Sequence, residues 1–177
     1  LNICQNCIEK IKNLSNELGI CQRCGTFGHN KLICRNCLDW PEYFKKNRAV
    51  VPYQGVYKDI LWEYKFHNRR WLAPVLAELM SLKLKEGEIN YDYILPVPLH
   101  PKRKSQRGFN QTEILAQKIA GFLNLKYSNK LLLRIQDTPR QTKLNRNQRQ
   151  KNLQGAFRVK EAHNLKGKKI LLVDDVL

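Results

Sequence analysis

The stretch Lys168-Lys169-Ile170-Leu171-Leu172-Val173-Asp174-Asp175-Val176-Leu177 decides the fold class. Four consecutive apolar residues bounded by charge read as a strand buried on both faces, the pattern of a parallel α/β sheet. In such sheets ligands bind beyond the carboxyl ends of the strands, where Asp174 and Asp175 fall. Adjacent carboxylates there can hydrogen-bond vicinal hydroxyls or hold a divalent metal. An ordinary strand-to-loop junction has the same sequence. No G-x-x-x-x-G-K-[ST] loop lies upstream, which sets a Walker-B reading of the pair low.

Upstream, Tyr93-Ile94-Leu95-Pro96-Val97 is a second buried strand, ending at proline. From Pro98 to Gln111 the chain reads as a basic loop feeding a helix from about Thr112, with Ile114, Leu115, Ile119 and Phe122 inward. A strand, a basic loop and a helix N-terminus make an anion cradle, since unpaired helix amides favour negative charge. Gly108 would let backbone approach a phosphate closely. Leu131-Leu132-Leu133 and Ala156 to Val159 read as further strands. The polar, basic segment between them is too long for an ordinary connection, and reads as a functional loop or as disorder. Strands alternating with helices predict an α/β domain with a mainly parallel sheet. Before it, alternation at Ala49, Val51 and Tyr53, then Val56 and Tyr57, predicts a strand or hairpin turning at Gln54-Gly55. Ile60 to Phe66 and Leu72 to Leu84 read as helices. The stripe of Leu72, Val75, Leu76, Leu79 and Met80 is core, with Trp62 and Trp71 packed there as well.

The charge is far from neutral. Across 177 residues, 32 Lys and Arg stand against 15 Asp and Glu, a formal net charge of +17. Between Pro101 and Lys160 there are 15 Lys and Arg and 2 acids. Such a surface attracts polyanions: nucleic acid, polyphosphates or anionic lipid. No apolar run approaches the ~18 residues of a transmembrane helix, and no signal-peptide core is visible. The sequence opens on Leu1 and stops inside a motif, as expected of a piece of a longer protein.

All six cysteines lie in the first 37 residues, as C-x-x-C pairs Cys4/Cys7, Cys21/Cys24 and Cys34/Cys37. The spacer lets both sulfurs of a pair bind one metal, and two pairs complete a tetrahedral thiolate site. A basic chain with no visible secretory signal belongs in a reducing, cytoplasmic compartment, which favours metal over disulfides. Cys21, Cys24, Cys34 and Cys37 make the compact ribbon, with Gly25 suited to a zinc-knuckle turn. Cys4 and Cys7 need a fourth pair before Leu1 to form a second site. His29 could serve as a ligand, but with enough cysteines it reads as a loop residue. Ile8, Ile11, Leu14 and Leu18 recur at helical spacing between the first two pairs. The expected domains are a zinc ribbon over residues 1–48 and an α/β domain over 49–177.

These residues carry a family resemblance. Ile170 to Leu177 looks like the start of the phosphoribosyl-pyrophosphate motif of type I phosphoribosyltransferases. Leu95-Pro96-Val97-Pro98-Leu99, Arg107-Gly108-Phe109-Asn110-Gln111, then Thr138, Gln141, Leu144, Arg149, Asn152 and Ala156-Phe157 resemble the ComF competence-protein family, as does the N-terminal double zinc ribbon. The resemblance implies that Asp174 and Asp175 contact ribose hydroxyls and the associated Mg²⁺. It implies a ligand-binding segment with Pro98, Leu99, Arg107, Gly108, Asn110 and Gln111 facing pyrophosphate. The Thr138 to Asn152 segment would then be the mobile loop closing over the ligand. The chain stops before the Thr/Gly loop that holds the 5′-phosphate in that family, so the fold is expected to be incomplete at its carboxyl end.

The implied function is DNA uptake for natural transformation, with single-stranded DNA and phosphoribosyl pyrophosphate as ligands and a competence helicase as partner. The basic region from Lys102 to Lys151, with Arg140, Lys143, Arg146 and Arg149, would bind the strand, and Phe109 and Tyr127 are candidates for base stacking. The alternative is an active phosphoribosyltransferase of nucleotide metabolism with an unknown acceptor.

Overall fold

The computed structural model describes residues 4–28, 32–38, 44–87, 90–139 and 146–176. The chain divides into two units, Leu1–Ile89 with Val176–Leu177 and Asn90–Asp175.

In the second unit, strand β1 (Tyr93–Pro96) lies between β2 (Lys126–Tyr127) and β5 (Ile170–Val173), and both pairings are parallel. The α/β class and the parallel sheet expected from sequence are therefore present. Ile94 and Leu95 of the central strand are buried, because helix α6 (Gln111–Leu123) covers the sheet with Leu115, Ala116, Ile119 and Ala120. The final strand differs from the sequence expectation. Only Val173 of β5 is fully buried, and Leu172 is 55% exposed, because among the described residues β5 is an edge strand with β1 on one side. Phe122 also faces outward rather than into the core, at 48% exposure.

Two further strands form their own antiparallel pair. Strand β3 (Leu132–Arg134) runs against β4 (Phe157–Val159), with Arg134 opposite Phe157. The ladder extends past both ends, from Ile135 N–H to Ala156 O at 2.8 Å and from Lys160 N–H to Leu131 O at 2.8 Å. The basic segment is thus closed at its base, like a loop drawn tight at the neck. It is not featureless, since Arg146–Leu153 forms helix α7. A helix with no apolar face leaves no periodic signal in the sequence.

The basic stretch after β1 is likewise a helix, α5 (Pro101–Arg107), where a loop was expected. Pro101 occupies its first turn, His100 Nδ1 accepts from Lys102 N–H at 3.4 Å, and Gly108 closes it at φ +80° with its N–H on Lys104 O. Proline just inside the start and glycine just past the end is the helix-boundary asymmetry. Asn110 then caps α6, its Oδ1 accepting from Thr112 N–H at 3.3 Å. A short helix α8 (Ala162–Leu165) precedes β5.

The first unit holds α1 (Gln5–Leu18), α2 (Arg35–Leu38), α3 (Gly55–Phe66), a 3₁₀ turn over Arg70–Leu72 and α4 (Ala73–Lys85). The strand or hairpin expected over 49–57 is absent. Gln54 is extended at φ −151° and caps α3, so Val56 and Tyr57 are its first turn and not a strand. The buried residues of α4 are Ala73, Ala77, Glu78, Ser81 and Leu84, a face rotated from the leucine-rich stripe, whose members are half-buried. Trp62 and Trp71, expected inside, are 50% and 67% exposed. Ile8 and Ile11 of α1 meet Leu79 and Leu82 of α4 around a small apolar crevice. Among the described residues no helix is long and apolar enough to cross a membrane.

Candidate metal centre and strand-end site

Residues 20–28 fold back on themselves. Ile20 and Phe27 form an antiparallel bridge, Cys21 N–H donates to Thr26 O at 3.0 Å, and Gly25 N–H to Cys21 O at 2.9 Å. Gly25 sits at φ +71°, and a Cβ there would lie 3.0 Å from Asn47 Nδ2 and 3.1 Å from the Ala49 nitrogen. Both the turn and the close approach exclude a side chain. That Nδ2 donates to Cys24 O at 2.7 Å, and Arg23 Nη1 donates to Cys37 O at 2.7 Å, the second bond tying the two C-x-x-C turns together.

The result is a cluster of four buried sulfurs, Cys21, Cys24, Cys34 and Cys37, all within 4.8 Å of one another. Cys21 and Cys37 Sγ are 3.9 Å apart, and Cys24 and Cys34 Sγ 3.7 Å. A tetrahedron with metal–sulfur bonds of about 2.3 Å has sulfur–sulfur edges of about 3.8 Å, so the cluster could hold a metal such as zinc. Burial works to raise the Cys21 thiol, but the N–H groups of Cys24, Cys34 and Arg23 bring it down to about 6. Burial pushes Cys37 up to about 12, and Cys34 upward too. A divalent cation at the centre would hold all four sulfurs as thiolates. Cys4 is exposed at the N-cap of α1, outside the cluster. The Cys7 side chain and His29 lie outside the described residues.

The strand-end site follows from the register of β1 and β5. Pro96 is paired with Val173, and Val97 N–H donates to Val173 O at 2.9 Å, so the two chains leave the sheet side by side. Asp174 and Asp175 therefore emerge beside Val97 to His100. Asp174 is exposed, and its Oδ1 accepts from Asp175 N–H at 2.8 Å. The first turn of α6 holds the neighbouring backbone. Thr112 Oγ1 donates to Val97 O at 2.6 Å, with Asn110 Oδ1 2.8 Å away.

Two guanidinium groups that sequence reading did not single out stand near this end. Arg103 of α5 is 3.3 Å from Asp137 and donates to Thr138 O, and Lys102 is 3.7 Å from the same carboxylate. Arg134 of β3 donates to Thr138 Oγ1 at 2.6 Å and lies over the Phe157 ring at 5.5 Å. Burial and the Arg103 charge lower the Arg134 pKa, against the opposing pull of Asp137 and Asp174. The sequence hint was Arg134 closing an apolar strand, readable only once β3 was known to pair with β4.

The residues of the Arg107 to Gln111 block have structural duties here. Gly108 is a helix C-cap, Phe109 is 5% exposed and so unavailable for stacking, and Asn110 is an N-cap. Gln111 is buried, accepting from Arg107 Nη1 at 2.6 Å. Tyr127, Pro98 and Leu99 are half-buried. Arg140 and Lys143 lie outside the described residues. Arg146 and Arg149 are on α7, and their side chains are not described.

No family model and no solved structure matches the chain. Curated proteins do. Competence protein F of Haemophilus influenzae is 28% identical over 182 residues, covering 99% of this chain and 78% of that protein. DNA utilization protein YhgH of Salmonella typhi is 29% identical over 181 residues, with the same coverages of 99% and 78%. Competence protein ComFC of Bacillus subtilis is 27% identical over 122 residues, 65% of this chain and 50% of that one.

Proposed function

Because this chain belongs to the ComF family, we propose that it serves DNA uptake and utilisation, binding phosphoribosyl pyrophosphate at the carboxyl ends of β1 and β5 and single-stranded DNA on its basic segments. The observation that carries the reading is the β1–β5 register, which sets the Asp174–Asp175 pair beside the segment leading into α5. Carboxylates accept from vicinal ribose hydroxyls, and guanidinium groups such as Arg103 and Arg134 match phosphate oxygens. Asp174 and Asp175 are the residues that would hold Mg²⁺ together with ligand phosphates, and the ion would neutralise pyrophosphate charge. Binding to the folded state alone raises stability by about 2.7 kcal/mol at a hundredfold excess over Kd. A magnesium-dependent rise in the melting temperature of the full-length protein on adding the ligand supports the site; an unmoved transition refutes it.

DNA binding rests on the surplus of 13 positive charges between Pro101 and Lys160, carried on α5, α7 and the segments around them. Each phosphate contact on a single strand contributes ~0.7 log units of affinity per tenfold change in salt. Reversing charge at Arg140, Lys143, Arg146 and Arg149 weakens binding and flattens the salt slope. Wild-type affinity and slope in that variant, read by fluorescence anisotropy, would exclude this segment. A competence helicase as partner and a cytoplasmic setting complete the reading.

We further propose that the metal in the four-cysteine cluster is structural Zn²⁺, with Cys4 and Cys7 contributing to a second site. The sulfur–sulfur distances of 3.9 and 3.7 Å support the first. Less than about half an equivalent of zinc in protein purified under reducing conditions would refute it.

A phosphoribosyltransferase is the second reading, favoured by the acid pair at a parallel strand end. Displacement of pyrophosphate by an acceptor would rely on positioning and on charge neutralisation by the basic residues. Release of pyrophosphate on adding candidate acceptors separates the two.

A further inference from the structure

Helix α3 carries a half-exposed aromatic face. Lys58, Trp62 and Phe66 recur every four residues and so lie along one side of the helix. The Trp62 and Phe66 rings stand 4.5 Å apart at 49°, and the His67 ring meets Trp62 edge-on at 6.5 Å. Trp62 is 50% and Phe66 44% exposed, which is unusual for paired large aromatics. Glu63 fixes the rim of this face: it accepts from His67 Nδ1 at 2.7 Å and from Arg69 Nε at 3.5 Å. Between Lys58 and Trp71 there are four Lys and Arg against two acids, one of which is this Glu63. The face therefore combines flat π surfaces with positive charge.

We propose that Trp62 and Phe66 are a stacking platform for the bases of single-stranded nucleic acid, separate from the basic segments of α5 and α7. The chemistry that fits is an unpaired base laid on an indole or phenyl face, with its phosphates drawn to Lys58 and Arg69. A duplex hides its base faces and would not be held this way. The proposal rests on the reading that the protein binds a single strand. It assigns base contact to α3, with Lys58 and Arg69 as the phosphate contacts of that face.

An abasic strand separates these contributions. Anisotropy of the intact protein is measured with oligothymidine and with an abasic deoxyribose-phosphate strand of equal length. Wild type should prefer oligothymidine by about tenfold or more, the scale of stacking one or two bases. The variant Trp62→Leu/Phe66→Leu keeps apolar area but removes both π faces. It should lose the preference while its salt slope and abasic affinity stay at wild-type values. Trp62→Phe should retain most of the preference, which a merely structural role would not predict. If the double variant, with an unchanged far-UV spectrum, still prefers oligothymidine, the platform is overturned while DNA binding stands, and the face is left for a protein partner. If wild type binds neither strand, the single-strand reading itself fails and the platform with it.

Discussion

Replacing Gly25 by alanine separates the two reasons for a glycine in the metal turn. At φ +71° an L-residue carries a cost of about 1–2 kcal/mol over glycine. The added Cβ also meets Asn47 Nδ2 at 3.0 Å and the Ala49 nitrogen at 3.1 Å. The first neighbour can move only by giving up its 2.7 Å bond to Cys24 O, a net loss of about 1 kcal/mol, and the second is backbone. The sum is about 2–3 kcal/mol, felt in the metal-loaded turn. At 1.4 kcal/mol per tenfold, apparent zinc affinity should fall by about 30- to 150-fold. Competition with a chromophoric chelator at neutral pH measures it. Gly28→Ala is the control, because at φ +83° it has the same backbone problem with nothing within 4 Å of the new Cβ. Its loss should therefore be smaller. A Gly25→Ala protein within threefold of wild type, or a Gly28→Ala protein equally weakened, would refute the reasoning.

Asn110→Ala removes the α6 cap and should lower stability by about 1–2 kcal/mol in urea titrations, with Asn110→Asp recovering most of it. An unchanged midpoint for the alanine variant would contradict the assignment. Burial works to raise the Glu113 carboxyl, but Lys104 at 2.9 Å and Asn129 outweigh it and hold the pKa below the usual carboxylate range. A depressed folded pKa gives stability that is present above the unfolded value and is lost as pH falls through the folded one. Glu113→Gln should thus be less stable than wild type at pH ~7 and equal to it near pH ~2; a gap that persists in acid counts against the ion pair.

The sequence disclosed those parts of the molecule where spacing alone constrains geometry. Two C-x-x-C pairs place four sulfurs together almost regardless of what surrounds them, and Gly25 closes the turn that carries Cys21 and Cys24. The runs Tyr93 to Val97 and Ile170 to Val173 announced paired strands with acids at one end. Exposure was less legible. A run such as Ile170 to Val173 fits both a central and an edge strand, and neighbours decide between them, so Leu172 was misplaced. Trp62, Trp71 and Phe122 were assigned inward because large aromatics usually are. The helices α5 and α7 lack apolar periodicity, yet Pro101 and Gly108 mark the ends of α5 for a reader attending to caps. The Arg103–Asp137–Thr138–Arg134 network was out of reach, since it depends on β3 pairing with β4 across more than twenty residues.

The central claim is a phosphoribosyl pyrophosphate site built on the acid pair at the end of β5. Its most direct measurement is a calorimetric titration of phosphoribosyl pyrophosphate into the full-length protein with and without Mg²⁺, on wild type and on Asp174→Ala/Asp175→Ala. The account predicts saturable heat for wild type only when Mg²⁺ is present, and none for the variant at an unchanged far-UV spectrum. No magnesium-dependent heat from wild type, or the same heat from the variant, would contradict it.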